Sequence, residues 1–218
     1  MAAVVRASSN RLSDKAPVRY AASILGLAYA IVAFANIVLT NVPDLGDSPA
    51  DTSEFYAVQS HRVKEIVAAY LGIAAAVLFL LFIRRASAGL LAVVAAGGFA
   101  ATMIVAQAAF LAPTASVSLG YSSAHAVDPD FARGASTLGD AVMFGGYALA
   151  GIAVIAASSS FQTRWLRIAG YVFGAISVLA TLTFFPALVL PLWGVVTAIG
   201  LGLAARGVVT AEPATEST

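Results

Sequence analysis

Several short stretches of this chain set hydrogen-bonding or ionisable side chains among residues that are almost wholly apolar. Asp140 lies in Leu138-Gly139-Asp140-Ala141-Val142-Met143-Phe144, with Met143, Phe144 and Tyr147 on the same helical face. A carboxylate in such surroundings can serve as proton donor, proton carrier or cation ligand. A plainer role stays open beside that one: near a helix start the macrodipole favours an anion, which then only hydrogen-bonds a neighbouring helix.

The run Gln59-Ser60-His61-Arg62-Val63-Lys64-Glu65 is the second constellation. Spacings of three and four put His61, Arg62 and Glu65 on adjacent faces of one helix, and Ala68, Ala69 and Gly72 continue the Glu65 face with small residues. Arg62 suits an anionic head group and His61 can titrate near neutral pH. The plainer reading is a salt-bridge cluster that anchors a helix at an interface. Asn36, Gln107, Thr181 and Thr183 complete the set of polar groups in apolar runs.

Other chemistries find no support. His61, His125, Asp128 and Asp130 are suitable ligand types, but no pair has a recognised metal-ligand spacing, so no metal is expected. No G-x-S-x-G elbow, phosphate loop or dinucleotide fingerprint occurs, and no cofactor is expected. With no Cys, disulfide-stapled modules, zinc ribbons and thiol enzymes are excluded. A formal net charge of +1 does not favour nucleic acid, which calls for a strongly basic face.

The elements that must position these groups are membrane helices. Of the 218 residues 60% are hydrophobic and only 11% charged, and the mean hydropathy is +0.90. A soluble domain averages about 45–50% apolar and about 25% charged. Crossing a hydrocarbon core of about 30 Å takes roughly 20 mostly apolar residues. Spans are predicted at 20–41, 64–83, 88–112, 137–157, 166–185 and 187–205, all helical because lipid offers backbone amides no partner. Strands of a barrel would alternate apolar and polar residues, whereas Ile66–Ile83 is apolar all round. The first run exceeds the h-region of a secretory signal and is read as an uncleaved helix. The expectation is an all-α, six-helix transmembrane bundle over 20–206, with a segment 1–19 before it and a tail 207–218 after it.

Charge orients the bundle. Arg6, Arg11, Lys15, Arg19, Arg84, Arg85, Arg164, Arg167 and Arg206 fall on one side; Arg62, Lys64 and Arg133 fall on the other, with eight of the eleven acids. Basic flanks mark the cytoplasmic side, so both termini are expected in the cytoplasm and the protein in the cell membrane. The outer connections, near 42–63 and 113–136, are long. Asp51 with Glu54 reads as a capping-box variant, and Asp128-Pro129 as an N-cap followed by Pro at N1. The second and fourth helices are therefore expected to begin outside the bilayer and continue into it, with Pro43 and Pro113 closing the first and third spans. Trp165, Trp193 and Tyr20 read as interfacial anchors. Gly170-x-x-x-Gly174 and Gly146-x-x-x-Ala150 supply close-packing surfaces inside the bundle or in a homo-oligomer. No internal repeat is established.

Asn36, Glu65, Gln107, Asp140, Thr181 and Thr183 all fall in the outer halves of their spans. That clustering predicts an outward-facing polar pocket beneath the long loops, with Asn36, His61, Arg62, Glu65, Gln107, Asp140 and Tyr147 as its ligand-binding residues. The chain also resembles a group of small multi-pass bacterial membrane proteins of actinobacterial type, grouped as a domain of unknown function. The resemblance rests on Asp47-Ser48-Pro49, on His61-Arg62 leading into Ala68-Ala69-Tyr70-Leu71, and on Asp128-Pro129-Asp130 followed by Leu138-Gly139-Asp140-Ala141. It implies a fold and a location and carries no chemistry.

Three functional expectations follow. The pocket binds or moves a small molecule or lipid. Alternatively, Asp140 and Glu65 are catalytic, as acid and base of a membrane-embedded isomerase or cyclase acting on an apolar isoprenoid-type substrate. In a third reading the protein is a structural or assembly subunit whose outer loops contact a partner.

Overall fold

The computed structural model describes residues 16–40, 43, 46–87, 89–120 and 127–206. Arg6, Arg11, Lys15, Asp44 and His125 lie outside the described residues, as do the tail 207–218 and most of the segment 1–19. Seven helices are present among the described residues: α1 (Ala16–Leu39), α2 (Pro49–Ala57), α3 (Gln59–Ala86), α4 (Leu90–Ser118), α5 (Pro129–Ser158), α6 (Arg164–Leu179) and α7 (Phe185–Ala205). Five are long and apolar enough to cross a membrane: α1 from Val18, α3, α4, α5 and α7. The predicted span 166–185 forms the 16-residue α6, about 24 Å long at 1.5 Å per residue. It stops at Leu179 because the threonines beyond it turn to backbone acceptors. Thr181 Oγ1 donates to the Phe144 carbonyl at 2.5 Å and Thr183 Oγ1 to that of Ala180 at 2.7 Å.

Six helices close into a ring. Helix α1 packs on α3, α3 on α4, α4 on α5, α5 on α6, α6 on α7, and α7 returns to α1, while α2 lies across one end against α3 and α5. Small residues make this approach possible. On α3 the residues Glu65, Ala68, Ala69, Gly72, Ala75, Ala76, Phe79, Phe82 and Ile83 form one buried helical stripe. Val63, Val67, Tyr70, Val77 and Leu81 face outward. Large apolar residues outside and small ones at the seams suit a bundle whose helices gain nothing by hiding from lipid. A Cβ on Gly174 would lie 2.8 Å from the Gly151 carbonyl oxygen, and one on Gly151 the same distance from that of Gly174. The Gly170/Gly174 face is thus used within the chain, between α5 and α6.

Three expectations are corrected here. Trp193 is fully buried and packs on Phe82 and Phe79, with ring centroids 5.2 and 6.3 Å away, so it is a core residue; Trp165 and Tyr20 remain exposed. Pro113 does not close the third span: it is buried inside α4, which continues to Ser118. The helix accepts the lost N–H because packing against neighbours holds it, as in other membrane helices. The Asp51 capping box does not start the second crossing helix, which begins at Gln59, still within the predicted connection. The cap at that box is Ser48, whose Oγ accepts from the Asp51 N–H at 3.1 Å, and it starts the separate helix α2, which Val58 in extended conformation divides from α3. The fourth behaves as expected: Asp128 caps α5 by accepting from the Asp130 N–H at 2.8 Å, Pro129 follows at N1, and the helix runs unbroken for 30 residues.

Candidate functional site

The ring has two chemically different ends. Arg19, Arg84, Arg85, Arg164, Arg167 and Arg206 gather at one; all seven described acidic residues lie on α2 or its approach, at the cap of α5, or in the first halves of α3 and α5. At the acidic end α2 closes over the bundle through a small apolar cluster of Tyr56, Val127 and Ala132, with Phe55 and Val117 against it. Arg133 fixes the start of α5 there, paired with Asp130 at 2.5 Å and donating to the Asp47 carbonyl at 3.1 Å.

Beneath α2 sits Glu65, 6% exposed. Its Oε2 accepts a hydrogen bond from Thr114 Oγ1 of α4, while Oε1 has no hydrogen-bond partner among the described residues. The fully buried Tyr56 hydroxyl has none either, and it lies within electrostatic reach of the Glu65 carboxyl. Burial first, and Glu65 second, push the Tyr56 phenol above the ordinary tyrosine range, so it remains a protonated donor. Arg62, expected to join a salt-bridge cluster, instead donates to the Tyr56 carbonyl and ties α2 to α3. His61 stacks on Phe55, with ring centroids 4.9 Å apart, and its Nδ1 is buried without a partner. Among the described residues Arg133 with Asp130 is the one ion pair, so the salt-bridge reading of His61, Arg62 and Glu65 does not hold.

Deeper in the ring the polar groups continue. Asn36 Nδ2 donates to the Ala68 carbonyl at 2.7 Å, across α1 and α3. Gln107 meets the same seam at Gly72, where an added Cβ would fall 2.6 Å from Gln107 Nε2 and 3.1 Å from Asn36 Nδ2. Only a residue without a side chain lets the two amides approach there. Next comes a cavity of about 30 Å³ lined by Asn36, Gly72, Tyr29, Tyr147, Met103 and Phe99 among others, which is water-sized. A separate cleft of about 360 Å³ runs between the end of α1, α2 and the start of α3, lined by Leu39, Thr40, Phe55, His61 and Lys64.

Of the residues expected to form a pocket, the structure gathers Asn36, Glu65 and Gln107 along the α3 seam, with Tyr147 at the cavity, His61 at the cleft and Arg62 on the Tyr56 carbonyl. Asp140 is half-buried on α5 and within electrostatic reach of Tyr147. The two candidate catalytic carboxylates therefore stand in different surroundings, Glu65 beside Thr114 and Tyr56 and Asp140 within electrostatic reach of Tyr147. Sequence reasoning missed Thr114 and Tyr56. Thr114 is seven residues from Gln107, two turns along the same face, a signal hidden by reading Pro113 as a stop. Tyr56 gave no periodic signal, because it lies on a separate helix.

A ring of apolar helices with a buried carboxylate and amides on its inner seams defines a multi-pass membrane protein with a partly polar interior. Comparison with protein-family profiles, with curated proteins and with solved structures gave no match.

Proposed function

We propose that the protein crosses the cell membrane six times, α6 with the turn after it making the fifth of these crossings in chain order, with both termini cytoplasmic, and that it binds or moves a small polar molecule at its outward end. The observation that carries this reading is Glu65, buried at the acidic end with one oxygen on Thr114 and the other unpartnered. Burying a carboxyl group with one oxygen left without a donor carries a desolvation cost. A small donor or cation reaching Oε1 relieves that cost. A cleft at His61 and Lys64 lies at the same end of α3, and the cavity deeper along that helix is water-sized, which favours a guest of few atoms over a lipid. The segregation of basic and acidic ends supports the orientation.

Native mass spectrometry of the purified protein, comparing wild type with Glu65→Gln and Asp140→Asn, tests the binding reading. A small-molecule adduct lost in Glu65→Gln supports it; an adduct unchanged in both variants, or none on the wild type, removes it. Because the chain has no Cys, single cysteines at Ser159 and at Glu54 report orientation. Labelling of position 54 by an impermeant maleimide on intact cells, without labelling of 159, is expected; the opposite pattern inverts the topology.

A further inference from the structure

The basic end carries a second feature, independent of the acidic pocket. A cleft of about 360 Å³ opens there, twelve times the volume of the interior cavity, between the start of α1, the end of α3, the turn from α5 to α6, and α7. Two guanidinium groups line it, Arg19 and Arg85, with Ser160, Gln162 and Thr163 of the turn beside them. Its remaining wall is apolar, including Val18, Leu166 and Leu201.

These arginines have no acidic partner among the described residues, all of whose carboxylates lie toward the other end. Arg19 is half-buried and held across the cleft by a 2.8 Å hydrogen bond from its Nη2 to Gln162 Oε1. A neutral amide orients the guanidinium without cancelling its charge, leaving other donors of the fork available. The turn itself is tied to the end of α3 by a 3.1 Å contact between the Ser87 and Ser160 hydroxyls. The cleft is thus held on two sides before any guest arrives. Nearby, Trp165 and Tyr20 are 45% and 40% exposed, as aromatic residues are at a bilayer surface.

We propose that this cleft binds the phosphate of an anionic phospholipid from the surrounding leaflet, between Arg19 and Arg85, with the glycerol and first methylenes of the lipid on Val18, Leu166 and Leu201. Arginine recognises phosphate in paired hydrogen bonds, and basic pockets between membrane helices take anionic head groups. A free phosphate ion shares the first part of that chemistry but has no use for the apolar wall, which selects the lipid.

The test uses the full chain purified in detergent, then exchanged into nanodiscs of phosphatidylcholine alone or with one-third phosphatidylglycerol, and read by native mass spectrometry and thermal unfolding. Wild type is expected to retain phosphatidylglycerol at least tenfold over phosphatidylcholine and to unfold at a higher temperature with it. Arg19→Gln with Arg85→Gln should abolish that preference, while Arg84→Gln, one residue away on an exposed position, should keep it. Leu201→Trp, which fills the cleft without changing charge, should also abolish it and guards against misfolding of the double variant. Equal retention of both lipids by wild type, or an undiminished preference in both the double variant and Leu201→Trp, overturns the proposal. So does inorganic phosphate at millimolar concentration reproducing the whole thermal shift, which would make the site one for a soluble anion.

Discussion

Thr114 Oγ1 donates to Glu65 Oε2 across 49 residues of chain, and so joins the end of α4 to the start of α3 beneath the lid formed by α2. Both residues are buried. A carboxylate so placed depends on each donor it has, because water cannot replace one that is lost. Thr114→Val keeps the shape and removes the donor, and is expected to cost about 1–3 kcal/mol of stability. Glu65→Leu combined with Thr114→Val should be less damaging than the two single losses added together, since neither member of the pair is then left as a buried polar group without the other. Thermal and denaturant unfolding in detergent of the four proteins in this cycle measures the coupling; strict additivity would show that the bond contributes nothing.

Gly72 predicts a second coupling. A methyl group added there meets the Gln107 amide at 2.6 Å, so Gly72→Ala should push Gln107 out of the α3 seam and destabilise by about 1–3 kcal/mol, in the range of overpacked cores. Shortening the obstructing side chain, in Gly72→Ala with Gln107→Ala, should restore much of the loss. A double variant as unstable as Gly72→Ala alone would place the strain elsewhere.

The two tryptophans offer an optical check on the ring. Trp193 is enclosed by Phe82 and Phe79, whereas Trp165 is 45% exposed. Emission from the Trp165→Phe variant should be blue-shifted and resist acrylamide, while that from Trp193→Phe should be red-shifted and readily quenched. Trp193→Ala should cost about 3–5 kcal/mol, and Trp165→Ala within about 0.5 kcal/mol of nothing.

Arg62 holds α2 by donating to the Tyr56 carbonyl. With Arg62→Ala, amide hydrogen exchange over 49–57 should quicken by about tenfold, the equivalent of about 1.4 kcal/mol of local opening. Exchange in α3 beyond Gly72 should not change. Equal protection of 49–57 in both proteins would mean that the apolar contact of Tyr56 with Val127 and Ala132 holds the lid by itself.

Much of this architecture was legible in the chain because membrane solvation is a strong and local constraint. Runs of about 20 apolar residues marked the long helices, and the Asp128-Pro129 cap marked the start of α5 where the structure puts it. The polar residues expected along the inner seams were also recognisable, since Asn36, Glu65 and Gln107 interrupt apolar runs. Their partners were not. Arg62 and Glu65 are three residues apart and of opposite charge, which favoured a local pair; each instead finds a partner on another element, Tyr56 and Thr114.

Sequence by itself determined the long apolar helices, the separation of charge between the two ends, and the polar residues Asn36, Glu65 and Gln107 that interrupt them, because each depends on residues close in the chain; Thr181 and Thr183, expected inside a span, fall in the turn after α6. Tertiary structure alone decided that Trp193 turns inward, that α4 continues past Pro113, that α2 is a separate lid, and that Glu65 meets Thr114. Those outcomes depend on which helix faces which around the ring, and neither hydropathy nor spacing carries that information, since lipid and a neighbouring helix are equally apolar to the residue that must choose between them.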